Sequence, residues 1–218
     1  MKRAWLGLLA ILMIVMAALF YVGRYFNITF NQLYEATMSD ADRTYLNYKD
    51  SVVQASNEFN LPPEYLLALI TLESSGRKVV PKRFEPRVYQ RLKRVKSGNR
   101  SSMEDVSTND LREVNDAGLR NLASSWGPFQ IMGYKSYDLG IYVADIRGER
   151  SVYHGARWID RNYGDELRKG QFKDAFHIHN TGKPFPADGR ARTHNPNYVV
   201  KGLELVRYFK QRLLEEVS

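Results

Sequence analysis

The chain has 218 residues, a formal net charge of +8 and a pI near 9.6, with 12% aromatic residues of which 14 are Tyr. It contains no cysteine, which excludes disulfides, thiolate metal sites and cysteine nucleophiles. Its four histidines show no HExxH-type spacing, so neither a metal site nor a cofactor is expected.

Residues 1–24, MKRAWLGLLAILMIVMAALFYVGR, open with Lys2 and Arg3 and carry no further charge until Arg24. The uncharged run 4–23 matches the ~20 residues a helix needs to cross hydrocarbon. Trp5 and Tyr21 stand near its ends, where amphipathic rings favour the interface. Lys2 and Arg3 predict a cytoplasmic N-terminus. A cleaved signal peptide would have a shorter apolar stretch and a small-x-small site. Ala17 and Ala18 match that site poorly, so an uncleaved, single-pass inner-membrane anchor is expected. The rest of the chain then lies on the periplasmic or extracytoplasmic side. A basic protein attracts nucleic acid, anionic lipid or acidic wall polymer. Export makes nucleic acid the least favoured of the three. The densest basic stretch, 77–100, carries charge without a nucleic-acid-binding signature, and a solvated helical face explains it equally well.

Residues 25–38 read as a connector, and 39–218 as one all-α domain. Ser39 and Asp40 are good N-cap types for a helix ending near Asn60. Pro62 and Pro63 suit the first turn of the next helix, and Ser74, Ser75 and Gly76 supply its stop. Residues 77 to about 121 predict short helices and loops. A turn and short helix follow in SSWGPFQIMGYKSYDLG. ERSVYHGARWIDRNYG predicts a helix with Val152, Ala156 and Ile159 on one face, extended by Tyr153 and Trp158. DELRKGQFKDAFHIHNTG predicts another, closed by Gly182, and PFPADGRARTH a loop. NPNYVVKGLELVRYFKQRLLEEVS predicts a long final helix. No alternating strand of any length is apparent.

One residue breaks the pattern of the second helix. Leu66, Leu69 and Ile70 stand at i, i+3 and i+4, and the next position on that stripe is Glu73. Partial burial disfavours a charged carboxylate, and the helix C-terminus disfavours an anion beside it. Both favour the protonated form that a general acid needs. A solvated glutamate, or one paired with Arg77, is the competing reading.

From Leu61 to about Phe209 the chain resembles the lysozyme-like catalytic domain of lytic transglycosylases, with goose-type lysozyme and bacterial N-acetylmuramidases as relatives. ESSG resembles the family's Glu-Ser segment, and SSWGPFQIMGY its Gly-x-x-Gln-(Ile/Leu)-Met segment. SVYHGARWIDRNYGD resembles a family helix with Gly155 at the small position. DAFHIHNTGKP stands where the family has A-x-A-Y-N-x-G, and THNPNYVVKGLELVRYF resembles the closing T-x-x-Y-V helix. His179 replaces the family's usual Tyr, and Pro128-Phe129 its Leu-Met before the Gln. About 50 residues separate Glu73 from WGPFQ, more than in the shortest members, and a segment like RFEPRVY occupies this place in the muramidases.

The resemblance implies cleavage of peptidoglycan glycan strands at the β-1,4 bond between N-acetylmuramic acid and N-acetylglucosamine, with Glu73 as the catalytic acid. A lytic transglycosylase needs no second carboxylate, because the substrate's own 6-hydroxyl closes a 1,6-anhydro ring. A hydrolase, including a phage lysis enzyme, would use one to activate water, and Glu85 is the best placed by its surroundings. An ion pair with Arg83, Arg87 or Arg91 is an equal reading of Glu85. Asp138 and Asp145 are weaker candidates. Ser74, Gln130, Met132, His179, Asn180 and Tyr198 are the candidate substrate-binding residues. Trp126 reads as core. The rivals are a non-catalytic wall-binding protein and a basic membrane-tethered scaffold.

Overall fold

The computed structural model describes residues 2–25 and 34–216; in the first helix the side chains described are those of residues 9 and 11–24. Two units divide the chain, Met1–Ser39 and Asp40–Ser218. In the first, helix α1 covers Lys2–Tyr25, and its described apolar side chains, Leu12, Ile14 and Phe20 among them, are exposed. Among the described residues no helix is long and apolar enough to cross a membrane. The side chains of 4–8 and 10, within the expected span 4–23, lie outside the described ones, as do residues 26–33 of the expected connector.

The second unit is mostly helical. Its elements are α2 (Asp40–Phe59), α3 (Pro63–Ser74), β1 (Arg83–Phe84), α4 (Pro86–Lys96), β2 (Ser102–Met103), β3 (Val106–Ser107), α5 (Thr108–Leu111), α6 (Asp116–Leu122), β4 (Ser124–Trp126) and β5 (Ile131–Met132). A 3-10 turn at Gly133–Lys135 then leads to α7 (Ser136–Leu139), α8 (Val143–Arg147), α9 (Ser151–Arg168), α10 (Phe172–Thr181) and α11 (Tyr198–Glu215).

Two small sheets amend the all-α expectation. β1, β4 and β5 form an antiparallel sheet in the order β1-β4-β5, and β2 pairs with β3 as a hairpin. Strands of two or three residues are too short to show alternation in sequence. The boundary near residue 168 also needs correction. The sequence predicts a new helix from Asp165, but α9 continues through Gly164 to Arg168, despite a kink at Tyr163 (φ −156°). The stop falls instead at Gly170, whose left-handed φ of 71° a residue with a side chain resists.

Helix α3 sits at the centre. Every side chain from Tyr65 to Ile70 is fully buried, so Leu67 and Ala68 are as inaccessible as the predicted stripe of Leu66, Leu69 and Ile70. A helix apolar on all sides belongs inside a domain; α11 and α2 pack on α3. Burying a leucine side chain contributes about 1.5–3 kcal/mol, so this helix is a principal source of stability. Phe129, Ile159, Phe176 and Phe209 complete the main core. A second cluster unites Val88, Leu92 and Val95 of α4 with Leu111, Leu119 and Leu122.

The end of α3 is held from α2. Ser75 takes φ 54° and Gly76 φ 66°, turning the chain sharply after Ser74. Arg43 Nε donates to the Ser75 carbonyl (2.7 Å), Asn47 Nδ2 to that of Gly76 (2.9 Å) and Tyr48 Oη to that of Arg77 (2.6 Å). These bonds satisfy the carbonyls of the turn that follows the helix. A Cβ on Gly76 would lie 2.4 Å from the Thr44 backbone nitrogen, so the close approach requires glycine.

Candidate active site

Glu73 occupies the last turn of α3, where the helix leaves the core, and its side chain is 18% exposed. Tyr198, the first residue of α11, donates its hydroxyl to Glu73 Oε1. Burial first, and then the charge of Glu73, holds the Tyr198 phenol well above its ordinary pKa, so it remains a donor. No other hydrogen bond to Glu73 occurs among the described residues. One carboxyl oxygen is therefore held, and Oε2 is left open.

His179 lies near the same oxygen, with Nε2 3.9 Å from Glu73 Oε1. That distance is too long for a hydrogen bond, and the ring has other partners. Its Nε2 is 3.1 Å from the Phe129 carbonyl and its Nδ1 is 2.7 Å from the Tyr163 hydroxyl. A carbonyl can only accept, so the proton resides on Nε2, and Nδ1 accepts from Tyr163. Burial pulls the His179 pKa below the ordinary 6.5, an effect that the charge of Glu73 partly offsets. The imidazole is neutral near pH 7 and ties together α9, α10 and the turn between β4 and β5. Tyr65 joins from α3, with its ring edge-on to Tyr163 at 6.3 Å. Glu73 thus sits against buried phenols and one neutral imidazole.

The turn after Trp126 is built to put the Phe129 carbonyl there. Gly127 (φ 70°) and Gln130 (φ 49°) both adopt left-handed backbone, and Gln130 N–H donates to the Gly127 carbonyl at 3.1 Å. The Gln130 side chain braces the same turn: Nε2 donates to the Gly127 carbonyl (3.1 Å), and Oε1 accepts from the Ser125 hydroxyl (2.7 Å). A Cβ on Gly127 would fall 2.3 Å from the Ile146 carbonyl oxygen, and one on Gly155 would fall 2.2 Å from the Phe129 ring. Gly155 is therefore the floor on which Phe129 rests.

The remaining candidates are more dispersed. Ser74 is buried and donates to the Ile70 carbonyl of its own helix (2.9 Å). Met132 is half-buried in β5, opposite Ser125. Asn180 is exposed near the end of α10. Glu85 caps α4, and its carboxylate pairs with Arg83 Nε at 2.9 Å rather than joining the Glu73 cluster. Asp138 lies 3.6 Å from Arg161, and Asp145 accepts from the Tyr142 N–H. Trp126 is buried, with its indole N–H on the Asn121 carbonyl (2.8 Å).

Sequence reasoning did not identify Tyr163, Tyr65 or the Phe129 carbonyl. An aromatic on a helix reads as core, and a carbonyl has no sequence signature. His177 was also missed. Its Nδ1 donates to the Lys183 carbonyl (2.6 Å) and its Nε2 accepts from the Arg192 N–H (3.0 Å), tying together the start and the later part of the loop that leads to Tyr198.

No family model matches the chain, and it has no match among curated proteins or solved structures.

Proposed function

We propose that this chain is a membrane-anchored enzyme with a lysozyme-like, lytic-transglycosylase domain that cleaves the MurNAc-β-1,4-GlcNAc bond of peptidoglycan. The observation that carries the reading is the asymmetry of Glu73: Oε1 is held by Tyr198, and Oε2 makes no hydrogen bond among the described residues. ESSG and DAFHIHNTG supply Glu73 and His179, 3.9 Å apart, and the Phe129 carbonyl of WGPFQIM holds the His179 ring, which supports the reading. The anchor rests on the uncharged run 4–23.

In this mechanism Glu73 carries its proton on Oε2, because Oε1 accepts from Tyr198. Transfer of that proton to the glycosidic oxygen lets the C1–O bond break, with positive charge developing at C1. The substrate's 6-hydroxyl then bonds to C1 and returns its proton to Oε2. Atoms balance without water, and the product carries a 1,6-anhydro end. Phenols and a neutral imidazole surround Glu73, and the ion pair of Glu85 with Arg83 favours this route over one needing a second carboxylate.

The test incubates the full-length, detergent-solubilised chain with peptidoglycan, beside Glu73→Gln and Glu85→Gln forms, and analyses the fragments by mass spectrometry. Anhydro ends from wild type and from Glu85→Gln, and none from Glu73→Gln, are expected. Reducing ends that vanish in Glu85→Gln would assign a hydrolase. Intact strands with every form would refute the enzyme reading.

A further inference from the structure

Tyr198 reaches Glu73 from the first turn of α11, and that turn is not closed by its own sequence. Asn197, the N-cap, makes no side-chain cap hydrogen bond. A helix start without such a cap leaves its first N–H groups to other partners, so the placement of Tyr198 depends on the loop before it. The start of that loop is held twice from α10. The Lys183 carbonyl accepts from His177, and Asp174 Oδ1 accepts from the Phe185 N–H (2.9 Å). Beyond Phe185 the hold is thin. Among the described residues, the one hydrogen bond from 186–197 to any earlier part of the chain runs from the Arg192 N–H to His177 Nε2 (3.0 Å). The other bonds stay inside the loop or enter α11. Asp188 pairs with Arg192 and accepts from the Arg190 N–H, while the Asn195 carbonyl accepts from the Thr193 hydroxyl (2.7 Å) and the Tyr198 N–H (3.0 Å). Arg192 and Tyr198 are thus joined by one short turn, with buried Thr193 between them.

His177 is suited to be the fixed point of this segment. It is 1% exposed, and its ring meets that of Phe185 edge-on at 5.4 Å. A carbonyl only accepts and a backbone N–H only donates. The imidazole therefore carries its proton on Nδ1, toward Lys183, and presents a bare Nε2 to Arg192.

We propose that His177 is a positioning residue for the cleavage reaction: by accepting from Arg192 it fixes the loop that places the Tyr198 hydroxyl on Glu73. The assignment rests on the peptidoglycan reading given above.

The two sides of the imidazole can be separated. In His177→Asn the short amide can donate to Lys183 but does not reach Arg192. In His177→Gln the longer amide presents an oxygen near the Nε2 position and keeps the Arg192 bond. Arg192→Pro removes the N–H itself from an exposed position and leaves the core untouched, so it carries the test if His177→Asn fails to fold. Each form is assayed on peptidoglycan as the full-length, detergent-solubilised chain, alone and combined with Tyr198→Phe. His177→Asn and Arg192→Pro should lower kcat about tenfold with KM nearly unchanged, and His177→Gln should stay within about twofold of wild type. In the Tyr198→Phe background, where no hydroxyl is left to place, neither His177→Asn nor Arg192→Pro should lower kcat further. A residue that only stabilises the fold would cost the same in both backgrounds. Trypsin cleavage after exposed Arg190 and Arg192, scored by mass spectrometry against cleavage after exposed Lys78, should rise in His177→Asn and not in His177→Gln. Wild-type kcat in both His177→Asn and Arg192→Pro, or losses that persist in full beside Tyr198→Phe, overturn the proposal. Failure of the peptidoglycan reading appears separately, as wild-type protein that releases no fragments, and removes this role with it.

Discussion

The Tyr198 hydroxyl donates to Oε1 of Glu73 across 125 residues of sequence, joining the start of the last helix to the end of the central one. As the carboxyl gives up its proton in the transition state, a hydrogen bond to the developing charge contributes about 1.5–3 kcal/mol. Tyr198→Phe keeps the ring and removes the donor, freeing the carboxyl to rotate. Its kcat/KM on peptidoglycan should fall about 10- to 100-fold, with little change in product type. Fragment release measured over time provides the check.

His179 gives stability a pH dependence of fixed sign. Its pKa is depressed in the folded protein, so between that value and the ordinary 6.5 the unfolded chain binds the extra proton. Stability is therefore full above about pH 6.5 and falls as the pH drops below it, by up to about 1.4 kcal/mol per pH unit for one group. His154, depressed by burial and by Arg150, acts in the same direction. In His179→Gln the amide can still bridge Tyr163 and Phe129, and its denaturant-unfolding free energy should fall less steeply over that range. An unchanged slope would show that His179 is not the buried neutral group described.

Gly155→Ala should destabilise the domain even though alanine is the better helix former. Its Cβ would meet the Phe129 ring at 2.2 Å, in a packed core. Overpacking of this kind typically costs about 1–3 kcal/mol, and each kcal/mol lowers Tm by about 2–4 °C for a protein of this size. Combining it with Phe129→Leu makes room, so the double variant should melt above the sum of the two single losses. Strict additivity would refute the contact.

Gln130 inverts the usual order of Gly and Ala. Both substitutions lose the amide bonds to Ser125 and Gly127. Only glycine takes φ 49° without strain, which is about 1–2 kcal/mol for other residues. Gln130→Gly should therefore melt higher than Gln130→Ala, a comparison that calorimetry makes directly.

The helical pattern was readable because it rests on local rules: Pro62 and Pro63 at a start, Ser75, Gly76 and Gly182 at stops, and apolar spacing along α9. Glu73 stood out because it was the one charge in such a pattern. The stripe reading understated its setting, since a helix buried on all sides has no distinct inner face. Partners set by tertiary packing were beyond reach. Nothing near Tyr163 in sequence indicates that its hydroxyl meets His179, and nothing near Phe129 indicates that its carbonyl fixes a tautomer. Short strands were missed for a similar reason, since neighbours decide them, whereas Gly170 is a local stop signal, with φ 71°, that the sequence did carry.

The three bonds from α2 to the turn after α3 also have a mechanical meaning. The folded domain begins at Asp40, whose carboxylate pairs with Arg43, and Arg43 in turn grips the Ser75 carbonyl. Tension on the chain ahead of Asp40 would pass through Arg43, Asn47 and Tyr48 into Ser75, Gly76 and Arg77, the three residues that follow Ser74.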